Sequence, residues 1–186
     1  MKISIKEKSG MIFKSIIFQI AMSLFGLMLS ASVIAINEKF LLVSGIFSFL
    51  FYFALIGAAV NEDGVKDYLR IKAGRVEKDV LLGFKYAAIS YIPSFIITVL
   101  HVVLRLFSIE NALTQLLSIF IRLLSCGMYL SFDRYWFATG DTFLQFSLNG
   151  FSFLIYEVVS VIIIGIFYYI GIKGINLTGN KNDKVE

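Results

Sequence analysis

The sequence predicts an all-α fold, a polytopic bundle of transmembrane helices. Apolar residues make up 58% of the 186 residues and charged residues only 16%, whereas soluble proteins average about 25% charged residues. Mean hydropathy is +0.83. The apolar residues are grouped in runs of about 20, the length that a helix needs to cross the hydrocarbon core of a bilayer. A soluble fold of this size would leave much of that apolar surface exposed to water.

Four apolar runs are predicted to span the bilayer as helices, because backbone groups in lipid must pair within their own segment. A fifth run, residues 113–131, is also long enough, but Arg122 stands at its centre. A mid-bilayer arginine costs about 2.5–3.5 kcal/mol on insertion scales, so this run either spans, lies at the surface or is re-entrant. All these runs belong to one predicted membrane domain, residues 1–186. The four predicted spans cover approximately residues 15–36, 40–60, 86–104 and 151–172.

The polar segment at residues 61–85 is predicted to be a cytoplasmic loop. Basic residues of multi-pass proteins concentrate on the cytoplasmic side, and this segment has six of them, with four more lysines before the first span. The N-terminus is therefore expected in the cytoplasm. Three lysines follow the last span, which favours an even number of crossings and a cytoplasmic C-terminus. Five crossings with an outside C-terminus is the alternative.

The same loop has two possible roles. Its six basic residues face five acidic ones, whereas segments that bind anionic lipids normally carry about 4–8 unopposed basic residues. A lipid-headgroup site is therefore not predicted here. The loop is either a solvated segment that sets the topology or a docking surface for a cytoplasmic partner. The residues assigned to docking are Lys66, Asp67, Gly74, Arg75 and Asp79.

Ionisable side chains at membrane depth are costly, so each is a candidate for function. Four form a candidate polar cluster: His101, Arg105, Arg122 and Glu157. His101 and Arg105 lie four residues apart and share a helix face. The cluster is either an outward-facing pocket that binds a ligand or a proton, or an ion pair of Glu157 with Arg105 or Arg122 that pins helices together. A single histidine without a second ligand-type neighbour does not predict a metal site.

The only proline, Pro93, lies inside the third predicted span. Proline removes one backbone hydrogen bond and favours a kink. The hydroxyl of Ser90 or Ser94 is expected to satisfy the freed carbonyl group. The kink serves either helix packing or a gating hinge.

No motif of a common enzyme class occurs in the sequence. H-E-x-x-H, G-x-S-x-G and Walker A motifs are absent, and Cys126 is the only cysteine. We therefore predict a protein that is not an enzyme and that holds no cofactor or metal. Membrane topology accounts for the net charge of +4, so nucleic acid is not a predicted partner. The predicted partners are the lipid bilayer and, through residues 61–85, another membrane or cytoplasmic protein.

Two segments resemble motifs of small multi-pass membrane proteins of low-GC Gram-positive bacteria. The family patterns are G-x-K-D, G-R-[IV] and G-x-K in the loop, and G-x-K-G-I-x-L near the C-terminus. Leu82 stands where the family has a lysine, and Ile172 and Asn176 replace an aromatic residue and a serine. The family has no assigned activity, so the resemblance implies a topology and a bacterial cell membrane. The matching residues are Gly64-Val65-Lys66-Asp67, Gly74-Arg75-Val76, Gly83-Phe84-Lys85 and Gly171-Ile172-Lys173-Gly174-Ile175-Asn176-Leu177.

Three functions are compatible with these features. The leading one is a non-enzymatic accessory or scaffold protein of the cell membrane. The alternative is a small transporter or substrate-capture subunit that works with a cytoplasmic ATPase. A third is an immunity-type protein that protects against membrane-active peptides, which only size and composition support.

Overall fold

The computed structural model describes residues 5–37, 40–107, 112–124 and 142–177. A 3-10 turn at Ile5–Lys8 leads into five α-helices, and no β-strand occurs in these ranges. Four of the helices, α1, α2, α3 and α5, are long and apolar enough to cross a membrane. The helices are α1 (Ser9–Ile36), α2 (Leu41–Lys72), α3 (Leu82–Leu106), α4 (Ala112–Leu124) and α5 (Thr142–Gly171).

The predicted all-α transmembrane bundle is confirmed, and each of the four long helices covers one of the predicted spans to within one residue. Helix α4 holds the first part of the fifth apolar run. Its 13 residues are fewer than the roughly 20 that a span needs. Residues 125–131 of that run lie outside the described residues, so whether it spans stays open.

Helix α2 differs from its predicted end. The loop was expected from residue 61, but α2 continues to Lys72, and the connection to α3 covers only residues 73–81. A hydropathy profile places the end of a span where charged residues begin. The helix itself continues beyond that point because its charged side chains have partners. Lys66 and Glu62 form an (i, i+4) ion pair, with 2.7 Å between Nζ and Oε1, the spacing that stabilises helices.

The long helices turn apolar side chains outward and polar side chains inward. In α5, Ile155, Val158 and Ile162 are exposed, whereas Glu157 and Ser160 are buried. Helices in lipid need no apolar core to associate and instead pack through small and polar residues. The observed distribution is therefore the one expected of a membrane-embedded bundle.

The chain divides into two compact units. The first comprises residues Met1–Ser15, Phe53–Ser90 and Ser160–Glu186, and the second comprises Ile16–Tyr52 and Tyr91–Val159. In the second unit, Ile121 and Phe153 form a buried cluster against which Ile97 packs.

The first unit contains a close contact between glycines of α2 and α5. A Cβ atom on Gly64 would lie 2.6 Å from the carbonyl oxygen of Tyr168 and 3.0 Å from the Cα atom of Gly171. A Cβ atom on Gly171 would in turn meet the carbonyl oxygen of Asn61. Both neighbours are backbone atoms, which cannot turn aside as a flexible side chain can. Glycine at these two positions therefore allows the helix backbones to touch.

Replacing Gly64 by alanine should destabilise the first unit by about 1–3 kcal/mol, the usual cost of overpacking. Thermal unfolding of the purified protein in detergent measures this cost. Gly10→Ala is the matched control, because nothing lies within 4 Å of a Cβ atom at that helical position, and alanine is the better helix former. Equal stability of the two variants would contradict the backbone contact.

Candidate functional site

The candidate functional site is a buried carboxylate in the second unit. Glu157 of α5 is 3% exposed. Its Oε1 atom accepts hydrogen bonds from the hydroxyl of Ser94 and, at 2.9 Å, from that of Thr98, both on α3. Its Oε2 atom is buried and has no hydrogen-bond partner among the described residues. One oxygen of the carboxylate is thus held by two donors, and the other has no donor within the described part of the chain.

Helix α3 positions the two donors by its periodicity. Ser94 and Thr98 are four residues apart, and residues at this spacing lie on one helix face. Tyr91 and His101 extend the same buried face by three residues in each direction. The hydroxyl of Tyr91 lies 2.8 Å from that of Tyr52 on α2. This polar face of α3 is therefore enclosed by the bundle rather than turned toward lipid.

Among the described residues, Glu157 has hydroxyl partners that the sequence did not predict. An ion pair with Arg105 or Arg122 was expected, but Ser94 and Thr98 supply its hydrogen bonds. Arg105 and the buried His101 lie on α3 as predicted. Arg122 lies on α4, but its side chain is outside the described residues, so its part in the cluster stays untested.

The serines near Pro93 also have partners other than those predicted. Pro93 lies inside α3 as expected. Its freed carbonyl group is that of Ile89, four residues earlier. The hydroxyl of Ser90 donates instead to the carbonyl oxygen of Ala87, at 2.7 Å, and that of Ser94 donates to Glu157. Sequence reasoning assigned Ser94 to helix repair and missed its role beside the carboxylate.

More polar side chains line the interior of the second unit. Most are small hydroxyl residues, which commonly occur where membrane helices meet. Gln19 is larger, and its buried Nε2 atom has no hydrogen-bond partner among the described residues. The described part of the chain contains no group of three or more His, Cys, Asp and Glu residues placed to hold a metal ion. The other buried polar residues of this unit are Ser23, Ser44, Ser48 and Thr114.

Asp67, a predicted docking residue, lies instead in a buried charge network of the first unit. The ammonium group of Lys8 pairs with Asp67 and lies 2.5 Å from Oδ2 of Asp63. The hydroxyl of Tyr168 donates to Asp67 at 2.8 Å, and Arg70 bridges Asp67 and Glu7. Lys8 itself is only 4% exposed. The charge of Lys8 is compensated by the two aspartates. Because Lys8 and Asp67 are buried, Asp67 is not available for contact with a partner protein.

The other predicted docking residues fall into two groups. Gly74 has φ of +69° and ends α2 in the left-handed conformation that glycine adopts most easily. Asp79 accepts from the backbone N–H of Leu81 and pairs with Lys85, each within 2.9 Å, so it fixes the start of α3. Lys66 and Arg75 are exposed. Of the five predicted residues, these two and the exposed Gly74 therefore remain accessible to a partner.

The motifs that carry the family resemblance meet in the first unit, although about 100 residues separate them. The side-chain amide of Asn61 donates to the carbonyl oxygens of Phe167 and Ile175 and accepts from the N–H of Leu177. Gly64 touches Gly171, as described above. Asn61 and the motif glycines therefore join the second half of α2, which had been predicted as loop, to the end of α5.

Replacing Lys8 by methionine should destabilise the protein by about 3–5 kcal/mol, because two buried carboxylates lose their shared cation. A second change, Asp63→Asn, should restore part of this loss by removing one of those charges. Thermal unfolding in detergent measures both effects.

Lys66→Met is the matched control for this prediction. Lys66 is exposed and forms an (i, i+4) pair, which contributes about 0.3–0.5 kcal/mol. A Lys8 variant as stable as the Lys66 variant would show that the buried network does not stabilise the fold.

Comparison with protein families, with curated proteins and with solved structures finds no match to this chain. What the protein does is therefore inferred from the side chains and contacts described above.

Proposed function

We propose that this chain is a non-enzymatic membrane protein that captures a small, singly charged cation at Glu157, as a transporter or substrate-capture subunit does. The observation that carries the proposal is the Oε2 atom of a carboxylate that is 3% exposed, which has no hydrogen-bond partner among the described residues. The accessory or scaffold role and capture are compatible, since a capture subunit is itself an accessory protein.

The proposed ligand class follows from the chemistry of the carboxylate. An ionised carboxylate is only an acceptor of hydrogen bonds, and an uncompensated buried charge costs several kcal/mol. Ser94 and Thr98 bind one oxygen but bring no positive charge. A monovalent metal ion or a protonated primary amine supplies the missing charge at Oε2. The hydroxyl oxygens of Ser94 and Thr98 keep lone pairs that can contribute to the same ligand.

A purely structural role explains only part of this geometry. The bonds from Ser94 and Thr98 to Oε1 join α3 to α5, as a helix pin would. A glutamine at this position would accept the same hydrogen bonds without a buried charge. The absence of a partner for Oε2 among the described residues supports a site that a ligand completes.

The proposal includes a partner and an orientation. Capture by so small a protein requires a second component to drive transport, for which a cytoplasmic ATPase is the proposed class, with Lys66 and Arg75 as exposed contact residues. Four membrane-crossing helices among the described residues and the basic residues before the first span and after α2 support cytoplasmic N- and C-termini. The motif resemblance supports a bacterial cell membrane.

Ligand-induced stabilisation tests the proposal. The purified protein is unfolded thermally in detergent with sodium, potassium or propylammonium chloride, and choline chloride keeps the ionic strength constant. A ligand at ten times its Kd stabilises the folded state by about 1.4 kcal/mol, which raises Tm by roughly 3–6 °C for a chain of this length. We expect at least one of these cations to produce this shift, and Glu157→Gln to abolish it.

Glu62→Gln is the matched control, because it removes the same charge from an exposed position on α2 and should leave the shift unchanged. Thr98→Val keeps the shape of its side chain but removes one donor, so it should weaken the response even if the glutamine variant does not fold. The capture proposal fails if no cation stabilises the wild-type protein, or if both Glu157→Gln and Thr98→Val respond as the wild type does.

A further inference from the structure

The charges of residues 61–85 are not balanced once the chain has folded. Three of the five acidic residues are engaged with lysines within the first unit: Asp63 and Asp67 with Lys8, and Asp79 with Lys85. Glu62 pairs with Lys66 on the surface of α2, and the fifth acidic residue, Glu77, is exposed between Arg75 and Lys78. The near-equal counts of the sequence therefore hide an excess of basic side chains on the folded surface.

The excess lies at the end of α2 and in the connection to α3. Lys72, Arg75 and Lys78 are exposed, and none has a hydrogen bond or ion pair from its side chain to a described residue. Lys173, just beyond the end of α5, is also exposed and belongs to the same unit. Its ammonium group lies 4.4 Å from the centre of the Tyr169 ring. We call Lys72, Arg75, Lys78 and Lys173 the basic rim.

Apolar side chains adjoin the basic rim. Val80 and Leu81 are 39% and 58% exposed directly before α3 begins, and Ile175 and Leu177 are also exposed beyond the end of α5. Tyrosine prefers the headgroup level of a bilayer, and lysine places its charge in the headgroups while its stem contacts apolar surface. Exposed apolar residues beside a tyrosine and an excess of cations, three of which have no ion pair among the described residues, are the combination that suits the membrane–water boundary.

We infer that the basic rim binds the phosphate groups of anionic phospholipids in the membrane that holds the protein. The ligand is a lipid headgroup rather than free phosphate, because exposed apolar residues adjoin the cations and a spanning helix begins at Leu82. Arginine and lysine both bind phosphate, the former through two parallel hydrogen bonds. This inference reverses the prediction from residue counts, in which the acidic residues cancelled the basic ones.

Lipid selectivity tests the basic rim. The full chain is reconstituted in phosphatidylcholine nanodiscs that contain a spin-labelled lipid, either phosphatidylglycerol or phosphatidylcholine. Electron paramagnetic resonance then gives the relative association constant of the two lipids at the protein surface. We expect the wild type to prefer phosphatidylglycerol, and the preference to decrease as salt screens the charges.

The double variant Lys72→Gln/Lys78→Gln should lose most of this preference, by roughly fivefold for each lysine that contacts the anionic surface. Lys66→Gln/Lys85→Gln removes two lysines with the same change of net charge, but both of these are paired with acidic residues. The control should therefore change the preference by less than about twofold. The inference is overturned if the two double variants lose selectivity equally, or if the wild type shows no preference for phosphatidylglycerol.

Discussion

The cost of burying an unpaired charge governs the interior of this protein. The outward faces of the long helices carry apolar side chains, so an inward-facing charged group has to find its partner among other side chains. In the first unit, Lys8 is enclosed by two aspartates, and one of these also accepts from Tyr168. In the second unit, Glu157 has two hydroxyl donors but no cation among the described residues. The charge of Lys8 is thus compensated within the first unit, whereas Oε2 of Glu157 is an acceptor with no donor among the described residues.

This contrast separates a structural part of the molecule from a candidate binding part. The first unit combines ion pairs, the amide of Asn61 and a glycine contact, all of which restrain its helices. Residues of both resembling motifs take part in these contacts, so packing explains why glycines and an aspartate occur at those positions. The second unit instead has an interior lined by hydroxyl groups and a carboxylate, which is suited to holding a polar ligand.

The sequence was sufficient to predict the helical class and the four spans, because runs of apolar residues report directly on a bilayer environment. It also made Glu157 a candidate site residue, since a carboxylate within such a run is unusual. Its partners were not predictable, because Ser94 and Thr98 lie 63 and 59 residues away and serine and threonine are common in membrane helices. The four-residue spacing of Ser90, Ser94 and Thr98 was the one available sign of a polar helix face. The end of α2 was misplaced because hydropathy treats Asp63 and Asp67 as solvated, whereas Lys8 pairs with both of them inside the protein.

The position of Pro93 links the shape of α3 to the carboxylate. Proline has no N–H group, so one backbone hydrogen bond is missing immediately before the residue that donates to Glu157. A ligand that binds Ser94 or Thr98 therefore binds next to the position where α3 lacks a backbone hydrogen bond. If the proposed ligand binds better to one geometry of this stretch than to another, its binding and the geometry of α3 are thermodynamically coupled.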